Sequence, residues 1–297
     1  MRRALVAAAT FAVVVFAPGS AFAWGFVGHR LIMRRAIELL PPDLKPFFEK
    51  YQDEIVVRVT DPDTWRNVGW DDDPNHFLDF GVKEYGAYPF QALPREYGAA
   101  LEKFGESTLK RNGLLPWREA EEFGNLRRAF EEFKRDAPYT NSNVVLFSAV
   151  ASHYIQDAHQ PFHASDNYNG QETGNFGIHS RFERDLIERY GSRLKLTPAA
   201  PKVMASARDA AFDALLASYL LVDPILKADK EAIGSGDTYD DAYFDRFFTK
   251  VQPLLEQQLS AAITATASII VSAWDQAGRP AIRLTEARPV EKVRQPR

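Results

Sequence analysis

The 297-residue chain contains no cysteine. Disulfides, thiolate-ligated zinc, iron–sulfur clusters and a cysteine nucleophile are therefore excluded. Any metal chemistry has to use His, Asp, Glu and backbone atoms. Histidine is itself scarce: His29, His76, His153, His159, His163 and His179 are all there are, and all precede residue 180. No segment alternates apolar and polar residues in the manner of a strand. No internal repeat is visible. Neither sign of charge dominates, with 36 Lys and Arg against 40 Asp and Glu, a net charge of −4. Such a balance does not make a basic nucleic-acid platform.

What is present reads as a folded protein. Apolar residues make up 45% and charged residues 26%, ordinary for a globular domain. Met1, Arg2 and Arg3 precede an apolar run from Ala4 to Ala17, and Ala21-Phe22-Ala23 closes it. This is the layout of a secretory signal peptide over 1–23, with export to a periplasmic or extracellular location. The run is shorter than the roughly 20 residues of a membrane span. Cleavage after Ala23 would leave Trp24 as a free amino terminus and take the net charge from −4 to −6. A helical body is expected over 24–278. Helical spacing covers 26–40, 44–51, 95–110, 117–135, 141–160, 177–190, 199–222 and 239–274. Segments 61–80 and 164–176 read as polar loops. Residues 279–297, with three prolines and six basic residues, read as a flexible basic tail.

The histidines fall in a pattern. His153 and Asp157 are four residues apart on an expected helix, which puts imidazole and carboxylate on one face. His179 and Glu183 repeat the device. His163 follows the helix-breaking Pro161. His76 closes an Asp-rich loop in which Pro62-Asp63-Thr64-Trp65-Arg66 sets an acid beside a rigid proline. His29 lies five residues after Trp24, where a free amine, a carbonyl and an imidazole can chelate together. Five of six histidines thus pair with an acid or a terminus in a way that suits zinc ligation by nitrogen and oxygen.

The motifs W-G-x-x-G-H (24–29), P-D-x-x-R (62–66), H-F-x-D (76–79), H-x-x-x-D-x-H-Q-P-x-H (153–163) and H-x-x-x-E (179–183) resemble those of the zinc-dependent phospholipase C and single-strand-specific nuclease superfamily. The resemblance spans Trp24 to about Tyr190. It implies an all-α fold, one mostly helical domain around a trinuclear zinc site. Carried over by position, Asp63, His76, His153 and Asp157 would hold one ion. His163, His179 and Glu183 would hold a second. Trp24, His29 and Asp157 would hold a third, with Asp157 as the bridge. Asp61 is the alternative to Asp63, which is preferred for its place in the P-D-x-x-R motif. His159 is left as a structural residue.

This reading expects a secreted zinc-dependent phosphodiester hydrolase, acting as a monomer with no protein partner. Paired cations offset the charge repulsion that protects a phosphodiester and activate water at neutral pH. Asp63 would orient the attacking water and Arg66 would fork onto phosphoryl oxygens. His29, the Asp63–Arg66 motif and the Asp157–His163 stretch resemble the nucleases, which favours single-stranded nucleic acid cut to 5′-phosphate products. Phe77 would then stack on a base and Asp79 would bond its edge. Glu183 and the absence of cysteine resemble the phospholipases, so a phospholipid head group is the alternative substrate. A non-catalytic exported zinc-binding protein is the further alternative.

Overall fold

The computed structural model describes residues 24–287, and within them the helical periodicity becomes thirteen α-helical segments. They are α1 (Gly25–Glu38), α2 (Lys45–Lys50), α3 (Gln52–Arg58), α4 (Asp61–Trp65), α5 (Tyr97–Phe104), α6 (Glu106–Asn112) and α7 (Leu115–Glu131). There follow α8 (Thr140–Asp157), α9 (Ile178–Ser180), α10 (Leu186–Tyr190), α11 (Ala207–Tyr219), α12 (Val222–Ile233) and α13 (Asp241–Gln276). A π-helical turn, Arg181–Asp185, joins α9 to α10. The described residues contain no strand, only an isolated parallel bridge between Phe80 and Ser165. The domain is all-α, as expected, and shares one apolar core. The expected signal segment 1–23 and the end of the expected tail, 288–297, lie outside the described residues.

Helix α8 is the axis of the fold. Every residue from Ser148 to Asp157 is buried, as its nearly continuous apolar sequence requires. Helices α7, α13, α3 and α1 pack around it. Helix α13 is long and apolar enough to cross a bilayer, but 67% of that stretch is buried among the other helices. It is a core helix here.

Several expectations are corrected. Segment 61–80 is not a plain loop: it holds α4, opened by Pro62 in the first turn, and short 3-10 turns at Arg66–Val68 and Asp73–His76. Proline in the first turn loses no hydrogen bond and presets φ. The expected helix 95–110 breaks at Gly105, whose φ of +76° no helix accommodates. The expected helix 199–222 begins only at Ala207, capped by Ser206, whose hydroxyl accepts the Asp209 N–H at 3.1 Å. Before it the chain is extended and strapped along α13. Backbone N–H groups of Lys195, Thr197, Ala199, Lys202 and Met204 donate to Glu256, Ser260, Thr264, Ser268 and Ser272. Side-chain oxygens of one helix therefore serve the backbone of its neighbour, and no periodicity in 195–204 could reveal that.

Residues 279–287 are not a free extension either. The Glu286 carboxylate accepts the N–H groups of Asn141 and Ser142, at 2.9 and 3.2 Å. These are orphan donors at the start of α8, and an anion there also meets the positive end of the helix. The Arg283 carbonyl accepts from the Asn141 side chain at 3.0 Å.

One core residue breaks the apolar pattern. Glu119 on α7 is fully buried, and neither carboxyl oxygen has a well-formed hydrogen bond. Burial first, then Glu122 and Asp157, push its carboxyl well above the usual range, and a backbone contact at Ile155 offsets this only in part. The folded state therefore holds the proton more tightly than the unfolded state. Its contribution to stability is complete below the unfolded value of 4.5 and is lost as pH rises towards the folded value. Glu119→Gln should match the parent near pH 4 and exceed it in stability at pH 8. Chemical denaturation at both pH values measures this. An equal loss of stability at both would show that the parent carboxyl is not held neutral.

Candidate metal centre

Three clusters of His and acidic side chains converge at one end of α8. His153 and Asp157 stand on adjacent turns of that helix, so their side chains leave on one face. Helix α1 brings His29 beside them, α4 brings Asp63, and the 3-10 turn before Phe77 brings His76. Their grouping is His29, His153 and Asp157; Asp63, His76 and His153; and His163, His179 and Glu183.

The Asp157 carboxylate is divided between neighbours. Its Oδ1 lies 3.3 Å from His29 Nε2. Its Oδ2 lies 3.0 Å from His76 Nδ1, 3.3 Å from His153 Nε2 and 3.9 Å from His163 Nδ1. Asp63 Oδ1 stands 3.9 Å from His76 Nδ1 and 3.8 Å from His153 Nε2. Ligand atoms on a tetrahedral zinc, each about 2.0–2.1 Å from the ion, are about 3.3–3.5 Å apart. The observed separations bracket that value.

Hydrogen bonding fixes which nitrogen faces inward. His153 Nδ1 lies 2.8 Å from the Val59 carbonyl, so it carries the proton and Nε2 carries a lone pair. His76 Nε2 lies 3.0 Å from the Asp72 carboxylate and Nδ1 lies 3.0 Å from Asp157 Oδ2, so Nδ1 is the nitrogen that faces the cluster. His153 Nε2 and His76 Nδ1 are 3.0 Å apart, beside the Asp157 carboxylate. Only a proton or a cation between them makes the arrangement favourable. Burial lowers the basicity of His76, but Asp157, Asp72 and Asp63 outweigh it and push the imidazole up to about 10. The site thus demands positive charge. The same carboxylate is held well below its usual range, since His153, His29 and His76 overcome its burial.

The His163–His179–Glu183 cluster has fewer internal partners. His179 Nε2 approaches Glu183 Oε2 at 2.9 Å but without hydrogen-bond geometry, and both ring nitrogens of His179 are buried with no hydrogen-bond partner. Burial pushes His163 down to about 4 and His179 down to about 3. Burial also pushes Glu183 up to about 8. Neutral imidazoles with inward lone pairs suit a metal ion. The buried His29 Nε2, Asp63 Oδ2 and Asp157 Oδ1 also lack hydrogen-bond partners. Orphaned buried acceptors at three converging points fit an N/O-ligated cation such as zinc.

The π-turn that carries Glu183 is anchored from below. Arg181, within it, reaches Asp229 of α12 at 3.0 Å and Tyr243 of α13 at 2.9 Å. Gln160 Nε2 donates to Glu183 Oε2 at 2.8 Å. π-Turns of this sort concentrate at functional sites.

The other expected residues are placed as follows. Trp24 is fully buried; its indole N–H donates to the Gln156 carbonyl at 2.8 Å, and its own carbonyl accepts the Gly28 N–H at 3.1 Å. Its expected free amine depends on the bond to residue 23, outside the described residues. Asp61 turns to Arg58, 3.4 Å away, and is in none of the three groups. A pocket of about 360 Å³ opens onto Asp63, His76, His163 and His179, with Arg66, Phe77 and Asp79 in its wall. Arg66 reaches Asp73 at 3.5 Å. Burial, and then Asp166, push the Asp79 carboxyl well above its usual range. Gly113 permits this wall: at φ +99°, a Cβ there would meet the Phe77 carbonyl at 2.1 Å. His159 joins no cluster. It lines a separate cleft of about 810 Å³ between α13 and the 195–204 strap, and burial pushes it down to about 4.

Sequence reasoning missed Asp72, Gln156 and Gln160, which hold His76, His29 and Glu183, and also the pocket residues Arg111 and Tyr168. The four-residue spacing of Asp72 and His76 was the available signal.

No family model matches the chain, and no curated protein matches it. Among solved structures, the alpha toxin from Clostridium absonum is similar, with a TM-score of 0.46 and 14% identity over 86% of this chain and 65% of that one. The chain thus spans about two thirds of that toxin's length.

Proposed function

We propose that the protein is a zinc-dependent phosphodiester hydrolase with three metal sites. The observation that carries this is the sharing of Asp157, whose two oxygens face different clusters while imidazole nitrogens of His29, His76 and His153 converge around them. Trp24, His29 and Asp157 would hold one ion. Asp63, His76, His153 and Asp157 would hold another. His163, His179 and Glu183 would hold the third. Zinc in such a cluster supplies Lewis-acid polarisation of a phosphoryl oxygen and activation of a water. The chain's own residues do the rest. Asp63, buried with one oxygen unbonded, orients the attacking water. Arg66 steadies the phosphoryl oxygens from the pocket wall. Asp79, whose carboxyl burial holds above its usual range, stands in the same wall to meet a polar edge of the substrate. The open pocket argues against a closed storage site, in which every ligand position would come from protein.

For the substrate, the ligand-bearing segments favour a phospholipid head-group ester. They also carry exposed apolar side chains: Phe26 and Val27 after Trp24, Val68 and Trp70 after Arg66, Tyr168 and Phe176 before His179. Val68 and Trp70 are 73% and 59% exposed. Aliphatic and indole groups exposed on these segments suit a lipid surface, and the net negative charge does not suit a long polyanion. The nuclease reading keeps one specific support, the placement of Phe77 and Asp79 in the pocket wall. The test is the zinc-loaded protein on phosphatidylcholine vesicles, single-stranded DNA and RNA, with and without chelator. Chelator-sensitive release of phosphocholine is expected. DNA or RNA cleavage without lipid turnover would move the assignment to a nuclease, and no turnover with zinc bound would overturn the enzyme reading.

A further inference from the structure

The histidines of the clusters do not have equivalent outer partners. His153 Nδ1 meets the Val59 carbonyl at 2.8 Å, and His163 Nδ1 meets the His76 carbonyl at 2.6 Å. His29 Nδ1 meets the Gln156 side-chain oxygen at 2.7 Å. All three acceptors are neutral. His76 is turned the other way round, with Nδ1 inward and Nε2 against the Asp72 carboxylate at 3.0 Å. Among the described cluster histidines it alone has a carboxylate within hydrogen-bond distance of its outer nitrogen.

Asp72 is not a loose surface acid. It is buried, and both of its oxygens are engaged. The Tyr154 hydroxyl donates to Oδ2 at 2.7 Å, and the Asn75 side-chain amide donates to Oδ1 at 2.8 Å. The Arg118 guanidinium stands 3.8 Å from Oδ1 and is itself paired with Glu122 at 3.1 Å. Tyr154 comes from α8, the same helix that supplies His153 and Asp157. The carboxylate is therefore fixed in place relative to the cluster.

We propose that Asp72 is a positioning residue for the Asp63–His76–His153 site: it holds His76 in the tautomer with Nδ1 unprotonated and adds negative charge behind that ring. This rests on the reading that the cluster holds a metal ion. Carboxylates behind ligating imidazoles orient the ring and raise its donor strength, and their loss costs about 10–100-fold in metal affinity.

The experiment is competition for zinc between the full chain and a chromophoric chelator, together with the visible spectrum of the cobalt-loaded protein. Asp72→Asn keeps an acceptor but no charge; Asp72→Ala keeps neither. Asp71→Asn, at an exposed neighbour paired with Lys110 at 3.0 Å, is the control. The expected result is that one of the sites weakens about 10–100-fold, more for Ala than for Asn. The cobalt spectrum shifts, and Asp71→Asn behaves as the parent. Parental affinity and spectrum in Asp72→Asn would overturn the proposal. Should both Asp72 variants fail to fold, Tyr154→Phe, which removes one hydrogen bond to the carboxylate, is expected to weaken the same site. Parental affinity in that variant would equally overturn it. A parent protein that binds no zinc would overturn the metal reading itself, and is told apart because the parent is measured first.

Discussion

Asp157→Asn is expected to lower turnover by about 10²–10⁴-fold and to reduce bound zinc. The carboxylate lies within 3.0–3.3 Å of His29, His76 and His153, so its two oxygens serve two clusters at once. An amide offers one acceptor, and its NH₂ group would point at inward lone pairs or at a cation. Breaking a buried charged arrangement by removing one partner costs roughly 3–5 kcal/mol, and each 1.36 kcal/mol is tenfold in rate. Glu183→Asp should cost less. It keeps the charge and the four-residue spacing from His179, and gives up the reach that meets Gln160 at 2.8 Å. Steady-state turnover and metal content of both variants decide the matter. Near-parental turnover in Asp157→Asn, with abolition in Glu183→Asp, would mean that the shared position is not Asp157.

Removal of zinc should lower the melting temperature by roughly 10 °C or more. The proposed ligands come from α1, α4, the turn before Phe77, α8, the segment after Pro161 and the π-turn, so the ions would connect segments about 160 residues apart in sequence. A ligand that binds only the folded state stabilises it by about 4 kcal/mol at a thousandfold excess over Kd. In a domain of this size each kcal/mol shifts the midpoint by about 2–4 °C. Without a cation, His76 and Asp157 keep a proton between them, and the α8 core remains packed, so a folded apo state should persist. The measurement is a thermal melt before and after chelation, with metal content verified. An unchanged midpoint after verified zinc loss would mean that the clusters do not brace these segments, and would weaken the three-site reading.

The sequence made the centre legible to the extent that the ligands sit on regular structure. His153 with Asp157 and His179 with Glu183 obey helical spacing, and the structure sets each pair on one face. The almost continuous apolar surround of 141–160 marked α8 as the buried axis. What stayed hidden is what depends on folding at a distance. Asp72 reads as one of several acids in a solvated loop, because nothing local says that Tyr154, eighty-two residues on, will reach it. Glu286 reads as part of a loose tail, because its partners are orphan amides at the start of α8. Gln156 and Gln160 look like ordinary polar residues until His29 and Glu183 arrive beside them. The helix expected from 199 failed for a related reason: its backbone donors are satisfied by another element.

That strap behaves as a vernier. Acceptors recur along α13 every fourth residue from Glu256 to Ser272, a step of about 6 Å, while alternate residues of an extended chain advance about 6.6 Å. Evenly spaced oxygen acceptors, one carboxylate and four near-identical hydroxyls, would tolerate sliding from one notch to the next. The donors, however, run 195, 197, 199, 202, 204, and the single three-residue stride falls across Pro201. A slip of one residue in either direction would bring Pro198, which has no N–H, to Ser260 or Thr264. A two-residue slip that moves later residues towards Glu256 would bring Pro201 to Thr264. The prolines thus act as missing teeth in the comb. They disfavour these slips of a repetitive ladder, and the alignment kept sets where α11 begins and how wide the cleft beside His159 stands.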